Sequence, residues 1–574
     1  METISPQPAA SVRYDEAAQA LVAILVAGGV TELFTMPGDA FPVLEAAARL
    51  AERGEAAPRI VTCLHEIVAV AAAHGHHMVS GIPQACLLHV DVGLQMAGGM
   101  LHNAQRGRAG IVLLGGRTPA TWDGSLRGGR VIDMHWVQDR RDVGAVTRDY
   151  VKWSYDLQRV EPLPHVIQRA LQIARSDPAG PVYISLLREM LMEPLTAQLP
   201  EPRRHSAPAP SVPAPDALET LADWICAAER PVVIVGHSGR QPAAFGALGE
   251  LATAAALPVF SRNARANISS EHPMYLGTEP GAHLGDADLV LLLDVDVPWT
   301  PLFQNVRDDA KVARIDIDPL RAEMGLWSFP TDLLLAGSVA ATLPLLTDLV
   351  RERATGTRAA LVDGRRTRVA AAHTEWQRSL NAAGRPSGPS DVAHVARSVA
   401  ALVDDQTIVV DDSTTAISTN AQRIPTRVPG SYFQPMGSSM GWGAGASLGA
   451  KLAAPDKTVI SLNAEGNLFS GAPEAALWGA ARMNAPFLTV VYDNAQYAAI
   501  RLGVRFEYPD GALMRSGTAL DIERPPDIVG LARSCDAHAE RVTDAAELPA
   551  ALRRGLDAVR AGQSSVVDVV VQGP

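Results

Sequence analysis

Two asparagines and a glutamine near the carboxyl terminus have types and spacing that could do chemistry. Asn467 lies in the segment Ala464 to Gly471 (AEGNLFSG), and Asn494 and Gln496 lie in Tyr492 to Tyr497 (YDNAQY). Each segment follows an apolar run of strand length, TVISLN from Thr458 and FLTVVYD from Phe487. Turns at the carboxyl ends of neighbouring parallel strands share one edge of a sheet, where ligands bind. The side-chain oxygens of Asn467 and Asn494, with the backbone carbonyl of Gln496, could give hard oxygen ligands to an octahedral Mg2+ that keeps places for phosphate oxygens. The same residues would also serve as two ordinary polar turns. A histidine cluster, His74, His76 and His77, falls on one helical stretch at positions that do not converge on a metal, so it is expected at a surface or an interface.

The elements that must position these residues form three α/β blocks, each alternating strand-length apolar runs with Ala-rich amphipathic stretches. The first contains RIVTCL from Arg59, ACLLHV from Ala85, GIVLLG from Gly110 and PVYISL from Pro181. The second contains the run from Pro231 to Gly236, LVLLLDV from Leu289 and KVARIDI from Lys311. The third contains TIVVDD from Thr407, TVISLN from Thr458, FLTVVYD from Phe487 and SVVDVVV from Ser565. The Pro-rich stretch PEPRRHSAPAPSVPAP, from Pro200, reads as an extended linker. A polar, Arg-rich stretch after Arg351 reads as a second one. The expected architecture is α/β, three doubly wound parallel-sheet domains at 1–199, 216–351 and 390–574, with linkers at 200–215 and 352–389.

Composition narrows the function classes. Over 574 residues, 47% hydrophobic and 20% charged residues are those of a globular enzyme with several cores, and a net charge of −12 disfavours nucleic-acid and anionic-membrane partners. The four cysteines are too widely spaced for a disulfide framework or a metal knuckle. The leading residues METISPQPAASVRYDE lack a basic stretch followed by an apolar one, and no apolar run is long enough to span a bilayer. A cytoplasmic location is expected.

The segment from Asn467 to Asn494, with ALWGAARMNAP between, resembles the thiamine-diphosphate motif of the acetolactate synthase, pyruvate decarboxylase and benzoylformate decarboxylase superfamily. The motif's Gly-Asp-Gly stands here as Gly466-Asn467-Leu468, an amide in place of a carboxylate and a leucine in place of a glycine. The resemblance implies that Gly466, Asn467, Leu468, Asn494, Gln496 and Tyr497 bind cofactor, with Asn467, Asn494 and Gln496 on the metal. Glu66, in His65-Glu66, is similar to the glutamate that hydrogen-bonds the cofactor's aminopyrimidine, driving it toward the imino tautomer that removes the C2 proton. Thr35 to Asp39 (TMPGD) resembles the turn whose last residue, Asp39, faces substrate. Met436 to Gly443 (MGSSMGWG) resembles the segment in which Met440 props the cofactor in its bent form and the Ser438 carbonyl accepts from the aminopyrimidine. Asp411 to Thr415 (DDSTT) puts Ser413 and Thr414 where hydroxyls could hold a diphosphate. His89, in CLLHVDVG, and Gln138, in HWVQD, match positions of a proton shuttle and of a substrate-reaching residue in benzoylformate decarboxylase and acetolactate-synthase-like enzymes.

Over nearly the whole chain, the resemblance implies a pyrimidine-binding, a middle and a diphosphate-binding domain, with the cofactor shared between subunits of a homodimer at minimum and often a homotetramer. The implied activity is decarboxylation of a 2-oxo acid through a C2 carbanion and an enamine, with carboligation onto an aldehyde or keto acid. Thiamine diphosphate and Mg2+ are the implied cofactors, and FAD is not favoured because ValGlyHisSerGlyArg, from Val235, is only a weak glycine loop. Trp299, Ala498, Ala499 and Ile500 are expected around the substrate, where small residues on one side and aromatic surface on the other, supplied by Trp299 and Trp442, suit a bulky 2-oxo acid. Alternatives are an acetolactate synthase proper, a 2-hydroxyacyl-CoA lyase, or a cofactor-poor binding or regulatory relative, the last motivated by Asn467 and Leu468.

Overall fold

Apolar runs too continuous to alternate in and out of water become parallel strands covered by helices on both faces. The structure, a computed structural model, describes residues 11–262, 265–381 and 388–573. The expectation for the first ten residues, and that for 382–387 of the second linker, fall outside them. The chain forms two compact units: residues up to 208 with 435–455 and 469–485 in one, and 209–434, 456–468 and the chain from 486 in the other.

In the first unit the strands are β1 (Val12–Tyr14), β2 (Glu32–Thr35), β3 (Arg59–Thr62), β4 (Gln84–Leu88), β5 (Ile111–Arg117), β6 (Trp153–Leu157), β7 (Pro181–Leu187) and β8 (Leu195–Ala197). Six of them make a parallel sheet in the order β3-β2-β4-β5-β7-β6, while β1 and β8 pair antiparallel. The four runs read from the sequence became β3, β4, β5 and β7. In the parallel sheet the missed ones are β2, only four residues long, and the edge strand β6, whose WSYDL carries a polar face; the three-residue strands β1 and β8 were missed as well.

The second unit holds two parallel sheets. The strands β9 (Pro231–Val235), β10 (Val259–Ser261), β11 (Leu289–Leu293), β12 (Lys311–Asp316) and β13 (Leu333–Ala336) run in the order β10-β9-β11-β12-β13. The strands β14 (Thr407–Asp412), β15 (Tyr432–Phe433), β16 (Thr458–Ala464), β17 (Leu488–Asp493), β18 (His538–Val542) and β19 (Ser565–Val570) run in the order β15-β14-β16-β17-β19-β18. The expected fold class, three parallel-sheet α/β domains, is the observed one.

The stretch expected as a second linker is instead mostly a helix, Thr357–Asn381. Its Val362 and Val369 enter the core beneath β9 to β13. Between them the buried Arg365 donates from Nη1 to the carbonyls of Ile225 and Ala228, at 2.8 and 2.9 Å. The buried face is one residue wide and partly charged, so the Arg-rich composition hid it.

In the first unit the helix Glu66–Ser80 is buried along nearly its whole length, its start capped by the His65 side chain accepting from Ile67 N at 3.1 Å. It lies on a second helix of small residues, Gly443–Ala453. A Cβ on Gly75 would collide with the Ala446 carbonyl, and one on Gly449 with the Ala72 carbonyl, so the two backbones approach as only glycine permits. The helix carries His74, His76 and His77 inward, which corrects the surface half of the surface-or-interface expectation: a helix covered on every side leaves its polar residues no solvent face. His74 Nδ1 accepts from Trp442 Nε1 at 2.9 Å, and His76 Nδ1 lies 3.2 Å from Ser80 Oγ.

Burial, assisted by the nearby Arg59 charge, pushes the His76 pKa down to about 4. The unfolded chain therefore protonates this ring below about pH 6.5 while the folded one does not. Stability rises with pH wherever the unfolded state binds more protons, so it is lost as pH falls from about 6.5 to about 4. His76→Gln should remove about 2 to 3 kcal/mol of that acid sensitivity, read as a flatter dependence of urea unfolding free energy on pH between 7 and 4.5.

Candidate functional site

Parallel strands aim their carboxyl ends at one edge, and each unit gathers its reactive groups at such an edge. In the first unit β2 runs into Pro37-Gly38-Asp39, β3 into Glu66, β4 into His89 and β7 into Arg188. Gly38 is required there, because a Cβ would collide with the backbone and Cβ of His89. The half-buried His89 keeps Nδ1 buried with no hydrogen-bond partner among the described residues. Glu66 is 8% exposed, with its carboxylate against Gly93, whose missing side chain leaves the room.

Asp39 and Gln138, far apart in sequence, are joined directly: Gln138 Nε2 donates to Asp39 Oδ2 at 2.6 Å. Arg188 Nη1 is 3.3 Å and His135 Nε2 3.8 Å from Asp39 Oδ1. Arg188 also donates to the carbonyls of Gly128 and Gly129, at 2.7 and 3.0 Å, and the Glu189 carboxylate accepts from Ala120 N and Thr121 N, both at 2.8 Å. Arg188 and Glu189 thus tie the loop after β5 to the turn carrying Asp39. Sequence reading missed both, although charged residues directly after the apolar run of β7 were the available signal. It also missed Asp91, which is buried and accepts from Gln95 Nε2 at 2.8 Å and Arg140 Nε at 2.9 Å. Also in this unit, Asn103 holds the segment before Trp442, donating to the Ser439 carbonyl at 2.8 Å and accepting from Ser439 N at 3.1 Å. Ser438 is exposed there and Met440 is 40% exposed.

In the second unit β14, β16 and β17 end side by side, with Asp412 opposite Asn463 in the β14–β16 register. Asn467 Nδ2 donates to both the backbone carbonyl and the Oδ1 of Asp412, at 2.8 and 2.7 Å. Its Oδ1 accepts from Thr414 Oγ1 at 2.9 Å. Gln496 N donates to Asn494 Oδ1 and to Glu465 Oε1, each at 3.0 Å, closing the turn after β17. Burial raises the Glu465 pKa to about 7. The Tyr497 ring lies over Gly466, and Leu468, at the place of the motif's second glycine, is buried. Ala498 is buried at the start of the helix Ala498–Glu507, with Ala499 and Ile500 exposed.

Three expected residues are placed otherwise. Ser413 has its hydroxyl committed inside the fold, donating to Asp411 Oδ1 at 2.5 Å and accepting from Asn420 Nδ2 at 2.9 Å. Asp411, buried and so held above the usual carboxylate range, needs that donor and the Tyr432 hydroxyl, at 2.5 Å. Trp299 is 2% exposed and packs edge-on to Phe329, 5.3 Å between ring centres, in the middle-domain core. Trp442 is fully buried against His74. Both indoles gain more from burial than a pocket wall would give them. In the glycine loop after β9, Gly239 N donates to Asn267 Oδ1 at 2.7 Å, so that backbone donor is taken from any bound phosphate.

Profiles of the family match along the chain: "Thiamine pyrophosphate enzyme, N-terminal TPP binding domain" over residues 15–145, the central domain over 218–346 and the C-terminal TPP binding domain over 413–569. The chain belongs to the thiamine pyrophosphate enzyme family. It is 28% identical over 515 residues to a benzoylformate decarboxylase of Pseudomonas aeruginosa, covering 88% of this chain and 90% of that one. It is 26% identical over 564 residues to an acetolactate synthase of Bacillus subtilis, covering 94% and 91%. Among solved structures, a thiamine diphosphate-dependent 4-hydroxybenzoylformate decarboxylase of Rhodococcus jostii shares the fold, with a TM-score of 0.78 and 22% identity over 97% of this chain and 99% of that one. Among the described residues no helix is long and apolar enough to cross a membrane.

The donor set fits the family's cofactor. Asn467, Asn494 and the Gln496 carbonyl are neutral oxygen donors of the kind a hard cation accepts, and no group of three His, Cys, Asp or Glu competes among the described residues. On the substrate-side edge, removing one partner of a buried ion pair strands the other. Arg188→Met should therefore cost about 3 to 5 kcal/mol in urea unfolding, and Asp39→Asn, which keeps a polar group in place, clearly less.

Proposed function

We propose that the protein is a decarboxylase and carboligase that takes a 2-oxo acid with a bulky or aromatic side chain, using thiamine diphosphate and Mg2+. The observation that carries this reading is the edge at the ends of β14, β16 and β17, where two amide oxygens and a backbone carbonyl follow adjacent parallel strands. Asn467, Asn494 and Gln496 would hold the metal, with the Thr414 hydroxyl, Gly466 and Tyr497 beside them. Ser438 and Met440 would contact the cofactor from the segment that Asn103 pins.

When bound, the cofactor supplies an electron sink for the pair released as CO2 leaves. The protein does the rest. Glu66, buried at a helix start, holds a proton toward the aminopyrimidine. His89 carries protons to and from the reacting carbon, its ring placed by contact with Gly38. Asp39 is fixed by Gln138 and Arg188, so substrate meets a carboxylate of set orientation instead of a mobile one. Ala498, Ala499 and Ile500 would wall the substrate side. The sequence alignment to both decarboxylases and synthases supports the reaction class, and the proposed assembly is a homodimer at minimum, a homotetramer by preference, in the cytoplasm.

Three measurements test this reading. Saturating thiamine diphosphate with Mg2+ should raise the melting temperature by several degrees, since any ligand of the native state stabilises it; no shift would favour a cofactor-poor binding relative. Glu66→Gln keeps the shape but loses the proton, so exchange of the cofactor's C2 proton should slow by about two orders of magnitude or more with folding retained. For substrate choice, Ala499→Leu should move preference toward pyruvate by about 1 to 3 kcal/mol in a panel of 2-oxo acids assayed with and without aldehyde for CO2 and coupled product. A parent enzyme that prefers pyruvate and ignores this substitution removes the bulky-substrate assignment.

A further inference from the structure

We infer that Asp412 is the positioning residue of the proposed metal site: it fixes which face Asn467 turns outward, and it carries the negative charge that an amide at 467 cannot. The inference rests on the metal-binding role proposed for Asn467. It departs from that role by moving the site's charge onto a neighbouring strand.

The geometry restricts Asn467 to one orientation. Both acceptors of Asp412 that it meets, the backbone carbonyl and Oδ1, receive its Nδ2, at 2.8 and 2.7 Å. An amide has two donors on nitrogen and two lone pairs on oxygen, so Nδ2 is spent on Asp412, while Oδ1 accepts from Thr414 Oγ1 alone among the described residues and keeps a lone pair. Flipping the amide would break both bonds and set its oxygen against a carboxylate oxygen. Asp412 is 3% exposed and is the last residue of β14, so it cannot swing away. The β14–β16 register brings it beside the start of the short helix Glu465–Ser470, which follows β16 directly and carries Asn467.

The pairing also explains an amide at 467. An aspartate there would put two carboxylates at hydrogen-bonding distance in a buried place, and like charges so close cannot both stay ionised without a cation between them. An aspartate at 412 and an amide at 467 place one charge one hydrogen bond behind the ligand oxygen, polarising the amide toward the cation.

The test is a charge-transposition cycle, read by calorimetric titration of Mg2+ into protein saturated with thiamine diphosphate and by metal-free melting. Asp412→Asn should weaken Mg2+ binding at least about tenfold, because it keeps the shape and removes the charge. Asn467→Asp alone should lower the metal-free melting temperature by several degrees, and Mg2+ should restore it. The double variant Asp412→Asn with Asn467→Asp should return the Mg2+ affinity close to that of the parent, a coupling that two independent structural roles would not produce, while its metal-free melting temperature stays below the parent's because the backbone carbonyl of residue 412 loses its donor. The double variant preserves the pair and serves as the folding control should Asp412→Asn fail to fold. Parent-like Mg2+ affinity in Asp412→Asn, or a double variant no better than the worse single one, overturns this inference and leaves the cofactor assignment standing. A parent protein that takes up no Mg2+ overturns both.

Discussion

The first unit depends on a contact in which two helices meet backbone to backbone. Glu66–Ser80 and Gly443–Ala453 are separated by most of the sequence, and at Gly75 and Gly449 there is no room for a methyl group. Such contacts trade side-chain burial for close dispersion between main chains, and they fix axial position tightly because a shift by one residue brings a Cβ into a carbonyl. The consequence reaches function at both ends. Glu66 is the first residue of one helix, and the Ser438 to Trp442 segment leads directly into the other. The hydrogen bond from Trp442 to His74 and the clasp of Asn103 on Ser439 then hold that segment in place.

The same topological rule operates in each of the three parallel sheets. Each parallel sheet collects polar residues at its carboxyl edge, but the three edges are finished differently. In the first unit, the edge mixes a carboxylate, an amide and an arginine around Asp39 and leaves His89 Nδ1 without a hydrogen-bond partner among the described residues. At β14 to β17 it presents amides and carbonyls. At β9 to β12 the polar groups neutralise one another: Arg240 reaches Asp294 at 2.6 Å, and Arg321 reaches Asp316 at 2.6 Å and Asp296 at 3.0 Å. Edges that pair their own charges have little left for a ligand.

How much of this could be read from the chain depended on where the signal sat. Strands buried on both faces, such as LVLLL in β11, announce themselves by continuous apolarity, whereas β15, with two residues, and β18, with a polar face at the sheet edge, do not. Short motifs made some positions visible: Asn494 and Asp39 stand in the turns after β17 and β2 and Glu66 at a helix start, whereas Asn467, expected in a turn, lies on the short helix Glu465–Ser470. Partners that act across the sheet were not visible. Nothing near Asn467 in sequence points to Asp412, and nothing near Asp39 points to Arg188, because such pairs arise only when strands far apart in the chain end at one edge of the same sheet. The aromatic residues misled for a third reason: sequence shows that Trp299 and Trp442 are large, but not which side of a helix or loop faces the core.

The helix Thr357–Asn381 bears on how the chain can be divided. The central-domain profile ends at residue 346, yet Val362 and Val369 lie in the core of that domain, and Arg365 closes two carbonyls at the end of its first helix. A fragment cut at the profile boundary would expose an apolar groove and strip two buried carbonyls of their donor. The middle domain as a folding unit therefore extends at least to the end of this helix, and any excision, domain exchange or fusion of it has to carry the helix along.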